Sequence, residues 1–241
     1  MFIRSLNSEK IKIQWYFFFL LIICETLINS FLSFIAVGQD FALNWNNFYT
    51  YAANFHSMFF FPLLAGLFTT LLYRYEHNNS NWKNILTGSI PKHYIYLSKM
   101  IWVFLFLIIT QLFFFLSYFL IGQILGAEGT LPLFSIFKSL IGGIIAIIPL
   151  LALQSWISIY IKNFGASLVI VLGLIIPNLL LTGMHSNLGG WFPSTIPFYT
   201  MMPQGTQFSP RVDLFSLYII VAITSTVYIL SGSISFRKRE W

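Results

Sequence analysis

Six stretches of this sequence stay apolar for about 20 residues or slightly longer, enough for an α-helix to cross the roughly 30 Å hydrocarbon core of a bilayer. Hydrophobic residues make up 57% of the chain, charged residues make up 8%, and the mean hydropathy is +0.78. A soluble domain carries roughly 25% charged residues. A chain this apolar cannot bury its apolar surface inside one water-soluble globule, so the bilayer must be its solvent.

The runs predict an all-α membrane protein with a single transmembrane domain over residues 1–241. The six predicted spans are Trp15–Val37, Tyr51–Tyr73, Met100–Leu125, Phe134–Ile161, Gly165–Gly183 and Leu214–Phe236. Gly142, Gly143 and Pro149 interrupt the fourth span, and Pro177 lies in the fifth. Such residues are tolerated in a spanning helix at kinks or close helix contacts.

The basic residues predict the orientation of the chain. Eleven of the thirteen fall on one predicted side: Arg4, Lys10, Lys12, Arg74, Lys83, Lys92, Lys99, Lys162, Arg237, Lys238 and Arg239. Lys138 and Arg211 fall on the other. Because basic residues accumulate on the cytoplasmic side, both termini are predicted to be cytoplasmic, which requires an even number of spans. The net charge of +6 therefore reflects topology, and no nucleic-acid partner is expected.

The N-terminal segment before the first span mixes basic and apolar residues. Residues 1–14 mix Arg4, Lys10 and Lys12 with apolar side chains in a broken helical stripe. This pattern predicts a short interfacial helix at the cytoplasmic leaflet, with a frayed tail as the equal alternative. The apolar run from Trp15 is long and no A-x-A-like site follows it, so a cleavable signal peptide is not expected.

The segment 184–212 is the longest predicted outer connection, and it is rich in aromatic residues and proline. Its notable residues are Trp191, Phe192, Pro193, Phe198 and Tyr199. An apolar, proline-broken segment of this length is typical of a re-entrant segment shielded by neighbouring helices before span 6. The alternative is an exposed loop whose aromatic residues sit at headgroup depth.

Glu25, Gln111 and Gln154 are the polar residues within the predicted spans that we single out. Glu25 is the clear charge, and insertion scales place the penalty for a central charged side chain at about 2.5 to 3.5 kcal/mol. No cationic partner is evident in the other spans, so helix packing is favoured over contact with a substrate. Gln111 and Gln154 are predicted to form hydrogen bonds between helices.

No pattern in the chain predicts catalysis. A G-x-x-x-x-G-K-[ST] phosphate loop and an H-E-x-x-H zinc motif are both absent from the sequence. Cys24 is the single cysteine, and the four histidines are scattered over different spans and loops. We therefore predict no catalytic residue, no metal site and no cofactor bound by this chain.

The longest polar interruption, residues 74–99 between the second and third spans, is predicted to form a helical elbow beneath the membrane. Ser80 can cap a short helix whose apolar face holds Trp82, Ile85 and Leu86. The run Thr87-Gly88-Ser89 ends that helix, and Pro91 can start a second one that continues into the third span. An amphipathic loop lying on the membrane surface is the alternative.

The run from Glu76 to Lys99 resembles permease subunits of ABC transporters, especially the lantibiotic-immunity branch of the type-2, ABCG-like exporters. The resemblance rests on the acidic residue, the run Trp82-Lys83-Asn84-Ile85-Leu86-Thr87, Pro91 and the closing Lys99. The later runs Trp191-Phe192-Pro193 and Pro203-Gln204-Gly205 are similar to the outer loop of these permeases. The arginine often found after the proline is missing, and Lys92 stands in its place.

This resemblance implies one half of a transporter in a bacterial cytoplasmic membrane. Two permeases, identical or related, would pair with two copies of a separate ATPase that binds ATP and Mg²⁺. The implied ATPase-coupling residues are Trp82, Lys83, Ile85, Leu86, Thr87, Pro91 and Lys92. The implied cargo is an amphipathic cationic peptide taken from the outer leaflet, which protects the producing cell.

Three other functions stay open at this point. The exporter could carry another cargo, such as a self-made peptide toxin, a bacitracin-like antibiotic or a lipid. An intramembrane enzyme would use Glu25 and His56, although paired catalytic motifs are missing. A membrane scaffold would only anchor a partner, and the spans broken by proline and glycine argue against it.

Overall fold

A computed structural model describes residues 1–38, 43–77, 91–184, 187–203 and 212–238. Within these ranges the chain is helical, without a β-strand. Ten α-helices follow one another: α1 (Phe2–Lys12), α2 (Trp15–Val37), α3 (Trp45–Phe55), α4 (Phe61–His77), α5 (Lys92–Ile124), α6 (Leu133–Ala146), α7 (Ile148–Tyr160), α8 (Phe164–Gly183), α9 (Ile196–Met201) and α10 (Leu214–Lys238). A π-helical turn, His56–Phe60, joins α3 to α4, and a 3₁₀ turn, Asn187–Trp191, precedes α9.

Six helical stretches in the described ranges are long and apolar enough to cross a membrane. They are Trp15–Val37, Trp45–His77, Lys92–Ile124, Leu133–Tyr160, Phe164–Gly183 and Leu214–Lys238. The prediction of an all-α chain with six such helices is therefore confirmed. Whether α1 lies in the membrane interface, and whether residues 184–212 re-enter the membrane, stay predictions.

The second and third spans differ from their predicted bounds because polar residues join the helices without ending them. The second begins at Trp45 instead of Tyr51, since the Asn44 side chain accepts a hydrogen bond from the Asn47 N–H and caps α3. The third begins at Lys92 instead of Met100, directly after Pro91 at the N-cap. Polar residues at a helix end lower the local hydropathy but leave the backbone ladder intact.

Pro62 explains the π turn in the second span. A proline has no N–H, so in an α-helix the carbonyl four residues earlier, here that of Met58, loses its partner. The Phe61 N–H instead reaches back five residues to the His56 carbonyl. The Asn178 side chain of α8 donates to the Met58 carbonyl. A neighbouring helix thus satisfies the group that Pro62 leaves unpaired, as a spanning helix requires.

The buried apolar residues form two clusters, one toward each end of the bundle. The first holds Phe18, Phe68 and Phe106, whose ring centroids lie 4.3 to 5.8 Å apart, with Phe18 stacked on both of the others. The second holds Trp45 and Tyr118, with centroids 5.6 Å apart. Offset and edge-to-face aromatic pairs add to the burial of apolar area. The helix α2, the second span and α5 each contribute residues to both clusters, and in each of them polar residues separate the two contributing stretches.

The two ends of the bundle also differ in charge. We call the end that holds α1, His77, the start of α5 and the end of α10 the basic end, and the opposite end the far end. Residues of the basic end include Arg4, Lys12, Arg74, Lys92, Lys99, Lys162 and Arg237. At the far end, the Glu128 N–H donates to the Leu43 carbonyl at 2.9 Å, and α9 is buried against α6.

Asn178→Leu should lower the free energy of unfolding by about 1–3 kcal/mol, because it leaves the Met58 carbonyl, within a span, without a donor. Pro62→Ala restores a backbone N–H four residues after Met58. In the Pro62→Ala background, Asn178→Leu should therefore cost less than in the parent protein. The measurement is equilibrium unfolding in mixed SDS micelles, and an equal loss in both backgrounds would contradict this account of the π turn.

Candidate functional site

Four charged side chains meet at the basic end and form what we call the ion cluster: Glu9, Lys12, Glu76 and Lys99. The Lys99 Nζ lies 2.6 Å from Glu9 Oε2 and 3.0 Å from Glu76 Oε1. The Lys12 Nζ lies 2.8 Å from Glu9 Oε1 and 2.7 Å from Glu76 Oε1. Two carboxylates alternate with two ammonium groups, so the ion cluster carries no net charge.

The ion cluster is removed from water almost completely. The side chains of Glu9, Glu76 and Lys99 are exposed by 1% or less, and that of Lys12 by 17%. Burial would raise the pKa of Glu9, but the ammonium groups of Lys99 and Lys12 outweigh burial and hold that pKa below its ordinary value. Burial would lower the pKa of Lys12, but Glu9 and Glu76 raise it. The neighbouring opposite charges therefore favour the charged forms of Glu9 and Lys12.

Three helices meet in the ion cluster. Glu9 and Lys12 come from α1, Glu76 from the last turn of α4, and Lys99 from the first part of α5. Neutral contacts extend the same junction: the Ser98 hydroxyl donates to Ser5 Oγ at 2.9 Å, and the Trp102 Nε1 donates to the Leu6 carbonyl at 3.0 Å. The polar face of α1 is thus bound to the bundle, whereas its Ile3 and Ile11 side chains are exposed.

The ion cluster lies at the base of the predicted coupling segment. His77, the last residue of α4, precedes residues 78–90, and Pro91, the N-cap residue of α5, follows them. The His77 imidazole contacts the Ser158 carbonyl of α7 at 2.8 Å, and the Lys92 Nζ donates to the Arg237 carbonyl of α10 at 3.4 Å. Both ends of the segment are therefore tied to the bundle. Five of the predicted contact residues lie outside the described residues: Trp82, Lys83, Ile85, Leu86 and Thr87. The other two, Pro91 and Lys92, are the first described residues after the segment.

Sequence reasoning missed the role of Glu9. It was one acidic residue in a mixed N-terminal segment, whereas Glu76 and Lys99 stood out in the run that carries the resemblance. Two signals were available: acidic residues are few in this chain, and Glu9 precedes Lys12 by three positions, the spacing of a helical ion pair. Its long-range partner Lys99 is 90 positions away, a pairing that no local pattern shows.

A second buried polar contact lies in the middle of the spans and gives Glu25 a partner that was not evident from the sequence. The Glu25 Oε1 lies 2.8 Å from the His56 Nδ1, and both side chains are buried. The His56 ring stacks on Phe114 of α5 with centroids 4.1 Å apart and also faces Phe61 at 5.3 Å. The sequence named Glu25 and His56 together only as candidates for an intramembrane enzyme. Their direct contact was not predicted, because it depends on how α2 and the second span are rotated about their axes.

The two predicted glutamines differ in their contacts. The Gln154 Nε2 of α7 lies 3.4 Å from the Thr70 Oγ1 of α4 and 3.3 Å from the Ser167 Oγ of α8, which joins three helices. The Gln111 Nε2 of α5 contacts the Met201 sulfur of α9 at 3.4 Å. The Gln111 Oε1 and the His56 Nε2 are buried and have no hydrogen-bond partner among the described residues.

The predicted aromatic residues of the outer segment fall into two groups. Phe198 and Tyr199 are buried in α9, and Pro193 is also buried. Phe192 is half-buried, and Trp191 is 58% exposed. Phe198 and Tyr199 pack into the far-end apolar cluster, whereas the exposed Trp191 is available for contact with lipid or with a partner.

Lys99→Met should lower the free energy of unfolding by about 3 kcal/mol, because it leaves two buried carboxylates with a single ammonium group. Lys10→Met is the matched control, since Lys10 lies exposed on α1, the helix that supplies Glu9, and makes no ion pair with a described residue. Equilibrium unfolding and limited proteolysis of α1 would both report the loss. Equal effects of the two variants would contradict a structural role of the ion cluster.

Glu25→Leu and His56→Phe should each lower the free energy of unfolding by about 3 kcal/mol, because each leaves a polar group unpaired in the apolar interior. The double variant removes both groups and keeps an aromatic ring against Phe114. It should therefore be clearly more stable than the sum of the single losses predicts. Additive losses in the double-mutant cycle would mean that the contact carries no coupling energy.

The larger part of the chain matches a known protein family. Residues 6–178, more than half of the 241, match the model of the family described as "ABC-2 family transporter protein". The matched stretch holds the ion cluster, the Glu25–His56 pair and the segment 78–90. No curated protein matches the chain. The chain belongs to the ABC-2 family and is a membrane permease subunit of an ABC transporter.

Proposed function

We propose that this permease subunit exports antimicrobial peptides of the lantibiotic or bacteriocin type and so protects the producing cell. The cargo rests on the resemblance of two stretches, the run Trp82–Thr87 with Pro91 and the runs from Trp191 to Gly205, to immunity permeases. The cargo enters as an amphipathic cationic peptide in the outer leaflet. The ABC-2 membership supplies the general mode of action, transport driven by an ATPase.

The ion cluster is the observation that carries the coupling mechanism. An ATPase that pushes on residues 78–90 moves the end of α4 and the start of α5, because these two helices flank the segment. Glu76 and Lys99 bind those helix ends to each other and to α1 through contacts of 2.6 to 3.0 Å. Pulling such a pair apart inside the protein is costly. The three helix ends therefore respond together to a push.

The remaining assembly follows from the charge distribution and from the family. The basic end faces the cytoplasm of a bacterial cell, with both termini there, α1 in the membrane interface and residues 184–212 dipping into the outer leaflet. Two ATPase subunits, each with ATP and Mg²⁺, bind Trp82, Ile85 and Leu86 on two permeases. The second permease is identical or related. Lys83, Lys92 and Thr87 flank the contact.

The test is peptide-stimulated ATP turnover by the purified complex of the full chain with the ATPase encoded beside it. Trp82→Ala and Leu86→Ala should each weaken ATPase binding tenfold or more, roughly the effect of truncating an interface hot spot. Trp191→Ala, at the far end and 58% exposed, is the matched control and should leave ATPase binding unchanged.

The outcomes separate the parts of the proposal. A complex that binds the ATPase but responds to bacitracin or a lipid, and not to a cationic peptide, would replace the proposed cargo. Unchanged binding in both Trp82→Ala and Leu86→Ala would place the ATPase contact elsewhere. A chain that retains no ATPase at all would remove the coupling mechanism.

A further inference from the structure

A cavity of about 540 Å³ opens at the far end, on the side of the bundle away from the ion cluster. Its walls come from the first turns of α3 and α6, from α9 and the residues after it, and from the start of α10. The described residues lining it combine amide and hydroxyl groups with apolar side chains. The cavity thus has both a polar and an apolar part.

Lys138 is the cation on the cavity wall among the described residues. Its side chain is exposed, and its ammonium group makes no hydrogen bond or ion pair with any residue that the structure describes. No carboxylate is among the described residues that line the cavity. Asn46, Asn47 and Ser135 surround the same space with groups that can donate hydrogen bonds. The polar part of the cavity therefore favours an anion.

An apolar track leads from Lys138 along α6 toward the end of that helix. Ile141 and Ile145 lie three and seven positions after Lys138, so they share its face of the helix. Both side chains are exposed, and Phe134, one turn before Lys138 on the same face, is exposed by 83%. An apolar strip of this kind fits a hydrocarbon chain. The combination of an anion-binding group and an apolar track describes an amphiphile as the ligand.

The wall behind Lys138 is held in place by hydrogen bonds. The Tyr49 hydroxyl donates to the Ser139 Oγ at 2.6 Å, and the Ser139 hydroxyl donates to the Met201 carbonyl at 2.5 Å. This chain joins α3, α6 and α9 directly beside Lys138. A side chain at position 142 would meet the Tyr218 hydroxyl within 2.9 Å, so Gly142 permits the close approach of α10. The cavity is therefore preformed.

We propose that this cavity binds an anionic phospholipid, with the headgroup phosphate on Lys138 and one acyl chain on the track of Ile141 and Ile145. Lysine binds phosphate as a point charge, and a cation within a span requires such a partner. A cationic peptide would be repelled by Lys138. The lipid site is therefore distinct from the proposed cargo, and it does not depend on what the cargo is.

The test measures lipid binding to the purified full chain in neutral detergent by native mass spectrometry. The probes are dioleoyl phosphatidylglycerol, dioleoyl phosphatidylcholine and inorganic phosphate. Phosphatidylglycerol should bind about tenfold more tightly than phosphatidylcholine, and Lys138→Gln should abolish that preference, as the loss of one hydrogen bond to a charged group implies. Lys162→Gln, which removes an exposed lysine at the basic end, is the matched control and should keep the preference.

Three results would overturn the proposal. Equal affinity for the two lipids would show that the site does not select an anionic headgroup. Equal losses in Lys138→Gln and Lys162→Gln would indicate general attraction to a basic protein. Competition by inorganic phosphate at the affinity of phosphatidylglycerol would identify a phosphate site without an acyl track. A further variant, Ile141→Asn, should weaken binding of both lipids if the track holds a chain, and an unchanged affinity would also contradict that placement.

Discussion

A charged side chain buried inside a membrane protein is cut off from water and needs an opposite charge as its partner. The ion cluster at the basic end supplies such partners. Glu9, Lys12, Glu76 and Lys99 each find two opposite charges, so none of the four remains unpaired. Replacing such a group by apolar side chains of similar volume is often neutral or even stabilising in other proteins. The function of the cluster is therefore better described as geometric: it defines which three helix ends stay together.

The second polar layer divides the bundle into two parts. Glu25 and His56 lie between the apolar clusters of the basic end and of the far end, and Gln111 lies at the corresponding place in α5. Apolar side chains can repack at small cost, whereas a buried hydrogen bond is either made or lost. The apolar clusters thus provide most of the buried area, and the polar contacts select one rotational setting of each helix.

The sequence predicts the number and character of the spans well because hydropathy is summed over about 20 residues, so a local error hardly changes the sum. It predicts their ends less well. Asn46 and Asn47 belong to a helix although they are polar, since Asn44 caps it. The contacts of Glu25 and Glu9 could not be predicted, because they depend on helix rotation and on positions 31 and 90 residues away.

For the coupling segment, the predicted residues 82–87 lie outside the described residues, so the sequence is the sole source for that surface. The two buried aromatic residues of α9 show that an aromatic outer segment need not face lipid.

The π turn at His56–Phe60 changes the rotation of α4 relative to α3 within the second span. One additional residue in a turn rotates everything beyond it by about 100° relative to an uninterrupted α-helix. The π turn therefore shifts the face of α4 that supplies Glu76 by about 100° relative to the face of α3 that packs against Tyr118, compared with an uninterrupted α-helix. Deleting a single residue between His56 and Pro62 would turn one half of the span against the other. In sequence comparisons of related chains, the number of residues between the histidine and the proline should thus vary less than the residues themselves.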